Sequence, residues 1–219
     1  MKKVHLQHWL TSCCFFLIVL GCSSNKDEES QLPFYNQADF TPEWIPIDVA
    51  NYGEIHLIDA FKLEDQNGNF ITNSTLEGKI YVADFFFTLC PGICPKMTTN
   101  MTRIQEEFLD DDGIKLVSHS VMPWADSVSV LKAYAEIKGI DNNKWHLLTG
   151  PQEAIYNLAR QSYFSEKEIG LDKSSDEFLH TENFILVDSK GRIRGVYNGT
   201  LALEMTRLIT DIKTLKKFG

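Results

Sequence analysis

The sequence predicts an α/β fold: a central mixed sheet flanked by helices, with an added N-terminal β-hairpin. Three observations carry that prediction. From Lys79 onward, strand-like apolar runs alternate with amphipathic helical stretches, the pattern of a sheet whose strands are largely parallel. One run, Ile80-Tyr81-Val82-Ala83-Asp84-Phe85-Phe86-Phe87, is apolar at nearly every position and rich in aromatic and β-branched residues, as a strand buried on both faces must be. Near the end, Phe184 to Asp188 and Ile193 to Tyr197 flank the turn Ser189-Lys190-Gly191, so an antiparallel hairpin closes the sheet.

Taken in order, the chain opens with Lys2 and Lys3 ahead of an apolar stretch, Leu10 to Leu20. At about eleven residues this is too short to span a bilayer, and residues 1–21 read as a signal peptide. Val19-Leu20-Gly21-Cys22 resembles the lipobox of bacterial lipoproteins, which makes Cys22 the lipidated first residue of an exported, membrane-anchored chain. Residues 22–44 read as a polar tether, with Phe34, Tyr35, Phe40 and Trp44 expected on the surface of a domain spanning 45–219. Ile55 to Leu63 and Phe70-Ile71 flank the turn cluster Asp65-Gln66-Asn67-Gly68-Asn69 and predict the added hairpin.

After the buried strand, Pro95 suits a first helical position, and Met97, Met101, Ile104 and Phe108 form one helical face that Gly113 is expected to end. Ile114 to Val121 is the next strand. Ser127 to Lys138 is a helix with Val130, Leu131 and Tyr134 turned inward, and Trp145 to Leu148 is a further short strand. A helix runs from Pro151 to about Ser162, with Ile155, Leu158 and Ala159 as its apolar face. Phe164 to Leu179 is polar and charged, longer than most connections in compact domains, and reads as a mobile loop with a functional role. Leu201, Met205, Leu208, Ile212 and Leu215 define the last amphipathic helix.

Composition narrows the function classes. The 219 residues are 43% hydrophobic, enough for a proper core, and the formal net charge is −9, which argues against a nucleic-acid partner. Removal of the signal peptide takes away Lys2 and Lys3 and leaves the mature chain more acidic still. Of five cysteines, Cys13 and Cys14 leave with the signal and Cys22 is taken by lipid, so Cys90 and Cys94 remain as thiols. A bridge across their three intervening residues closes a very small loop and stabilises a fold little, so the pair reads as chemical rather than structural. Two thiols at this spacing can close on a soft ion such as copper, or on each other.

A buried strand that delivers two cysteines to a helix N-terminus, with a β-hairpin and helix closing the chain, is a thioredoxin-like arrangement. The stretch Asp84-Phe85-Phe86-Phe87-Thr88-Leu89-Cys90-Pro91-Gly92-Ile93-Cys94-Pro95-Lys96-Met97, with His180 ahead of Phe184 to Asp188, resembles the SCO/SenC family. That resemblance implies a membrane-anchored, thioredoxin-fold protein that binds copper and helps to assemble the copper centre of cytochrome c oxidase, its partner. It implies Cys90, Cys94 and His180 as metal ligands and a Cys90–Cys94 disulfide in the oxidised state. The donor chemistry agrees: soft thiolates select Cu(I), and an added imidazole also suits Cu(II). Many family members carry His where this chain has Leu89. They also carry an acidic residue beside Pro where it reads Ser120-Val121-Met122-Pro123-Trp124-Ala125-Asp126, which makes Asp126 the candidate second-shell acid.

The rival reading is thiol–disulfide exchange through Cys90 and Cys94. Asp84, six residues before Cys90, stands at the offset at which thioredoxins keep a buried Asp for proton transfer. Against exchange as sole function stand the spacing, where redox thioredoxins use two intervening residues, and His180-Thr181 in place of their cis-proline. Peroxide reduction by Cys90 lacks its expected activating Arg and Pro-Thr-Cys loop. His56, His119 and His146 read as satisfied or surface histidines, with His119 the one that ends a strand and could approach the cysteine loop. Met97 and Met101 read as core, and Asp110-Asp111-Asp112 as a solvated helix end.

Overall fold

A computed structural model describes residues 31–46, 55–165 and 181–218. Two short hairpins come first: Phe34–Tyr35 (β1) with Pro42–Glu43 (β2), and Lys62–Glu64 (β3) with Phe70–Thr72 (β4). In the second, Asp65 Oδ1 accepts from the backbone N–H groups of Asn67 and Asn69, each at 2.9 Å, and Gly68 takes φ +80°, a conformation that a side chain disfavours. One turn of helix, Asn73–Leu76 (α1), leads into the buried strand Ile80–Phe86 (β5).

Around β5 the sheet is assembled as the alternation predicts. Ile114–Ser120 (β6) runs parallel to β5, and Trp145–Leu148 (β7) runs parallel to β6. Asn183–Val187 (β8) pairs antiparallel with the other side of β5, and Ile193–Asn198 (β9) pairs antiparallel with β8, giving the order β7-β6-β5-β8-β9. Helices Cys94–Glu107 (α2), Val128–Lys138 (α3), Gln152–Asn157 (α4) and Ala202–Phe218 (α5) complete the mixed α/β architecture.

All seven residues of β5 are buried, so each of its faces needs its own core. Ile80, Val82 and Phe86 pack with Met97, Met101 and Ile104 of α2 and Met205, Leu208 and Ile212 of α5; this core includes both cysteines. Tyr81, Ala83 and Phe85 face the other way, onto Val117, Leu148, Ile155, Leu158 and Tyr163. Each fully buried aliphatic or aromatic side chain contributes roughly 1.5–3 kcal/mol by its removal from water.

Both sheet edges are covered, as unpaired backbone groups require. Along β7, the buried Gln66 side chain acts as a short strand, donating to Trp145 O at 2.8 Å and accepting from Leu147 N at 2.8 Å. Along β9, Arg194 holds the N-terminal segment: Nε donates to Pro33 O at 3.0 Å, Nη2 to Leu32 O at 2.5 Å, and the guanidinium lies 3.9 Å from the centre of the Phe34 ring.

Several local expectations are corrected. Phe34, expected at the surface, is 2% exposed beneath Arg192 and Arg194. α2 ends at Glu107 rather than at Gly113, because the Asp110-Asp111-Asp112 run turns instead, with Asp111 accepting from Gly113 N and pairing with Lys216. Val130 is exposed; the inward stripe of α3 is Leu131 and Ala135, one helical turn apart, with Tyr134 half-buried beside it. Beyond α4, residues Leu158–Ser162 widen into a π-helix, whose freed carbonyl at Ser162 is 2.7 Å from His56 Nε2.

His119 departs furthest from its expected character. It is fully buried on the face opposite the cysteines, stacked on Phe85 at 5.1 Å and flanked by Phe61 and Tyr163. Among the described residues, neither ring nitrogen has a hydrogen-bond partner. Burial alone pushes its pKa down to about 3. The unfolded chain therefore takes up a proton near pH 6.5 that the folded chain refuses, and stability falls as pH drops from about 6.5 towards 3. His119→Phe should raise the melting temperature at pH 7, by relieving an unpaired polar group worth about 1–3 kcal/mol. The gap over wild type should widen at pH 5; a gap that stays constant between the two pH values in calorimetry would contradict this account.

Candidate metal and thiol site

β5 releases the chain into the loop that carries Cys90, and α2 begins at Cys94, so the sheet delivers both sulfurs to one helix end. Ile93 caps α2 without a side-chain acceptor. Burial raises the Cys90 pKa, but hydrogen bonds from the Cys94 thiol and from the backbone N–H groups of Cys94, Gly92 and Ile93 outweigh it and hold Cys90 below an ordinary thiol. Cys94 goes the other way. Burial, its bond to Cys90 and the nearby charges of Cys90 and Asp84 push it up to about 12, against one opposing hydrogen bond at Phe87. Both are free thiols, 8% and 5% exposed. The pair is asymmetric: Cys90 is the sulfur that ionises more readily, and Cys94 the one that holds its proton.

Asp84 lies on the cysteine face of β5, 3% exposed, and burial raises it to about 7 although the Ser118 hydroxyl donates to Oδ1. Trp145 Nε1 donates in turn to Ser118 Oγ at 2.8 Å. Asp126 is also fully buried. It accepts from Thr88 Oγ1 at 2.5 Å, Ser120 Oγ at 2.5 Å and Thr88 N at 3.2 Å, fastening the start of the cysteine loop to the β6–α3 connection. Thr98 Oγ1 donates to Cys94 O at 2.9 Å, so the Tyr134 hydroxyl, 2.8 Å away, is the donor to Thr98.

The structure thus brings Cys90, Cys94, Asp84 and Asp126 to one end of the sheet. His180 and Cys22 lie outside the described residues, as does most of the Phe164 to Leu179 loop. Among the described residues no group of three or more His, Cys, Asp or Glu side chains is placed to hold a metal ion. His119 is turned away from the cysteines. Sequence reading missed Ser118, Ser120 and Thr88, each of which donates to a buried carboxylate. Their signal was present, since Ser118 and Ser120 are polar residues at alternate positions of a buried strand. Leu89, next to Cys90 in the chain, and Trp124, in the β6–α3 connection, are exposed apolar side chains. No helix of the described residues is long and apolar enough to cross a membrane.

Against known proteins, the profile of the SCO1/SenC family matches residues 50–217. A SCO1/SenC family lipoprotein from Bacillus anthracis superposes with a TM-score of 0.65 at 32% identity, over 74% of this chain and 95% of that one. BsSco, a member of the Sco family of cytochrome c oxidase assembly proteins in which a disulfide switch was identified, gives 0.63 at 29% identity, over 75% and 96% of the two chains. ScoI from Bradyrhizobium japonicum with copper bound gives 0.58 at 25%, over 73% and 99%.

The sulfur asymmetry is open to direct measurement. With limiting iodoacetamide at pH 7–8, alkylation should fall on Cys90, whose thiolate forms below the ordinary range, while Cys94 stays protected until the fold is denatured. Mass spectrometry that found Cys94 modified first or equally would refute the assignment.

Proposed function

The chain belongs to the SCO1/SenC family, and from that premise we propose that it is a membrane-anchored copper-binding protein. In this reading it delivers copper to the copper site of cytochrome c oxidase, or keeps that site's thiols reduced. The observation that carries the reading is the cysteine pair itself: two free, nearly buried sulfurs at an uncapped helix N-terminus, one held towards thiolate by three backbone N–H groups and its neighbour's thiol. Such an end favours the anionic sulfur that soft-metal binding requires. The copper-bound ScoI relative supports copper as cargo, and BsSco supports both the oxidase partner and a Cys90–Cys94 disulfide.

His180 is the proposed third ligand. Ala83 pairs with Ile185, so β8 starts beside the last residues of β5, at the end where the cysteine loop begins; this supports a ligand arriving just ahead of Asn183. Asp126, by fixing Thr88, is proposed as the acid that holds the cysteine loop in place. The signal peptide at 1–21, the lipid on Cys22 and a polar tether leading from it to the folded domain belong to the same proposal. The lipoprotein from Bacillus anthracis supports anchorage on the outer side of a bacterial membrane.

Thiol–disulfide exchange is the second reading, and Asp84 favours it. A carboxyl raised to about 7 on the cysteine face is matched to accepting the Cys94 proton near neutral pH. Cys90 and Cys94 are the catalytic pair of that reading.

Titration of the reduced full chain with Cu(I) and Cu(II) tests the first reading directly. Tight one-to-one binding is expected, and His180→Ala should weaken it at least about tenfold while the Cys90–Cys94 disulfide still forms. An unchanged affinity removes His180 from the site. No stoichiometric binding, alongside rapid reduction of a dithiol partner's disulfide, would transfer the function to exchange. In that case Asp84→Asn should slow exchange by about a hundredfold and leave copper affinity little changed; unaltered exchange would make Asp84 structural.

A further inference from the structure

We infer that the anchored protein stands with its cysteine end away from the membrane and the β8–β9 turn towards it, so that a partner is met above the lipid surface rather than at it. This orientation rests on the anchorage proposed at Cys22, and the fold adds the direction.

Residues 32–34 form a strap fixed to the turn end of the β8–β9 hairpin. Arg194 holds two of its carbonyls, Nε donating to Pro33 O at 3.0 Å and Nη2 to Leu32 O at 2.5 Å. The Phe34 ring, buried, lies beneath the guanidinium groups of Arg192 and Arg194, 5.1 and 3.9 Å from its centre. Arg192 is itself held in the turn, where Nε donates to Asp188 Oδ2 at 2.8 Å and its carbonyl accepts from Asp188 N at 3.0 Å.

Strand register puts the sulfurs at the opposite end. Ile193 pairs with Val187, and Val187 with Tyr81 near the start of β5. Asn198, where β9 finishes, pairs with Asn183, beside the end of β5 at which the cysteine loop begins. From Tyr81 to Phe87 the chain climbs six residues, about 20 Å at the ordinary strand rise.

The tether is short against that height. Ten residue steps from Cys22 to Leu32 reach at most about 35 Å when fully drawn out. With the turn end towards the lipid they need no stretching. To lay the cysteine loop on the surface, the strap must rise by about 20 Å and the loop's own height, and the tether gives up conformational freedom. Charge keeps the turn end from adsorbing. Asp110-Asp111-Asp112 leads into Ile114, which pairs with Ile80 at the start of β5, and Lys216 pairs with Asp111. Anionic headgroups repel such a run within a Debye length of about 8 Å, so the domain is held off the surface by its tether.

The test uses the full chain, processed and lipidated by expression in bacteria and placed in nanodiscs of phosphatidylcholine and phosphatidylglycerol. Association that is lost in Cys22→Ser is expected; a wild-type chain that does not associate overturns the anchorage and the orientation with it. In a Cys90→Ser, Cys94→Ser background, a fluorophore is attached at Lys190→Cys in the turn or at Gly92→Cys in the cysteine loop. Both positions are exposed, and a Cβ at Gly92 meets nothing within 4 Å. Energy transfer to rhodamine-labelled headgroups should place the Lys190 probe closer to the lipid by about 10–20 Å. With association intact, a Gly92 probe at equal or smaller height overturns the orientation alone. Ten Gly and Ser residues inserted after Ser30 roughly double the reach and should at least halve the difference. A difference that persists unchanged shows that adsorption sets the height, and overturns the role of the tether.

Discussion

Burial of β5 and β6 on both faces is the constraint on which the rest of this structure depends. A strand with no solvent-facing side must either be wholly apolar or supply a partner, inside the protein, for each polar group that it carries. β5 carries Asp84, and β6 answers it with Ser118 at the opposite register position. Two residues along, Ser120 serves the second buried carboxylate, Asp126, which reaches back to Thr88 at the start of the cysteine loop. The site is therefore a by-product of satisfying buried groups, and its rigidity comes from the sheet rather than from the loop.

His119 shows the same constraint left unmet. Pleating turns it to the opposite face from Ser118 and Ser120, where its neighbours are the rings of Phe61, Phe85 and Tyr163 and, among the described residues, nothing hydrogen-bonds its ring nitrogens. The alternating Ser118-His119-Ser120 segment thus divides by strand geometry: two residues serve the carboxylates of the site, and the one between them weakens the fold in acid.

The fold class, the order of β5 to β9 and the position of the cysteine pair were legible because they rest on periodicity and on a spacing of thiols, which are local properties of a sequence. The functional family was legible from the residues around Cys90 and Cys94. Burial of Phe34 was not, since it depends on Arg194, about 160 positions away in the chain. The early end of α2 is not legible either, since Gly113 suggests the stop whereas the turn is made by Asp111 and its pairing with Lys216 on α5. The acceptors and donors around Asp84 and Asp126 were hidden for a related reason. A serine in an apolar strand looks like a weak point until the strand opposite it is known, and only register reveals that it is a partner.

The two proposed readings, copper binding and disulfide exchange, share one demand on this site: Cys94 must lose its proton. A metal takes thiolates, and exchange needs the second sulfur as a nucleophile. Cys94, raised to about 12 and 5% exposed, does not meet that demand by itself near neutral pH. Cys90 is already favoured as thiolate by the start of α2, so any incoming ion or disulfide is met first by Cys90 and only then by Cys94. Asp84, raised by burial to about 7 and felt electrostatically at Cys94, is the base that the exchange reading proposes for that second event. The two readings thus diverge after the proton has moved, in whether a soft ion or the sulfur of Cys90 takes its place.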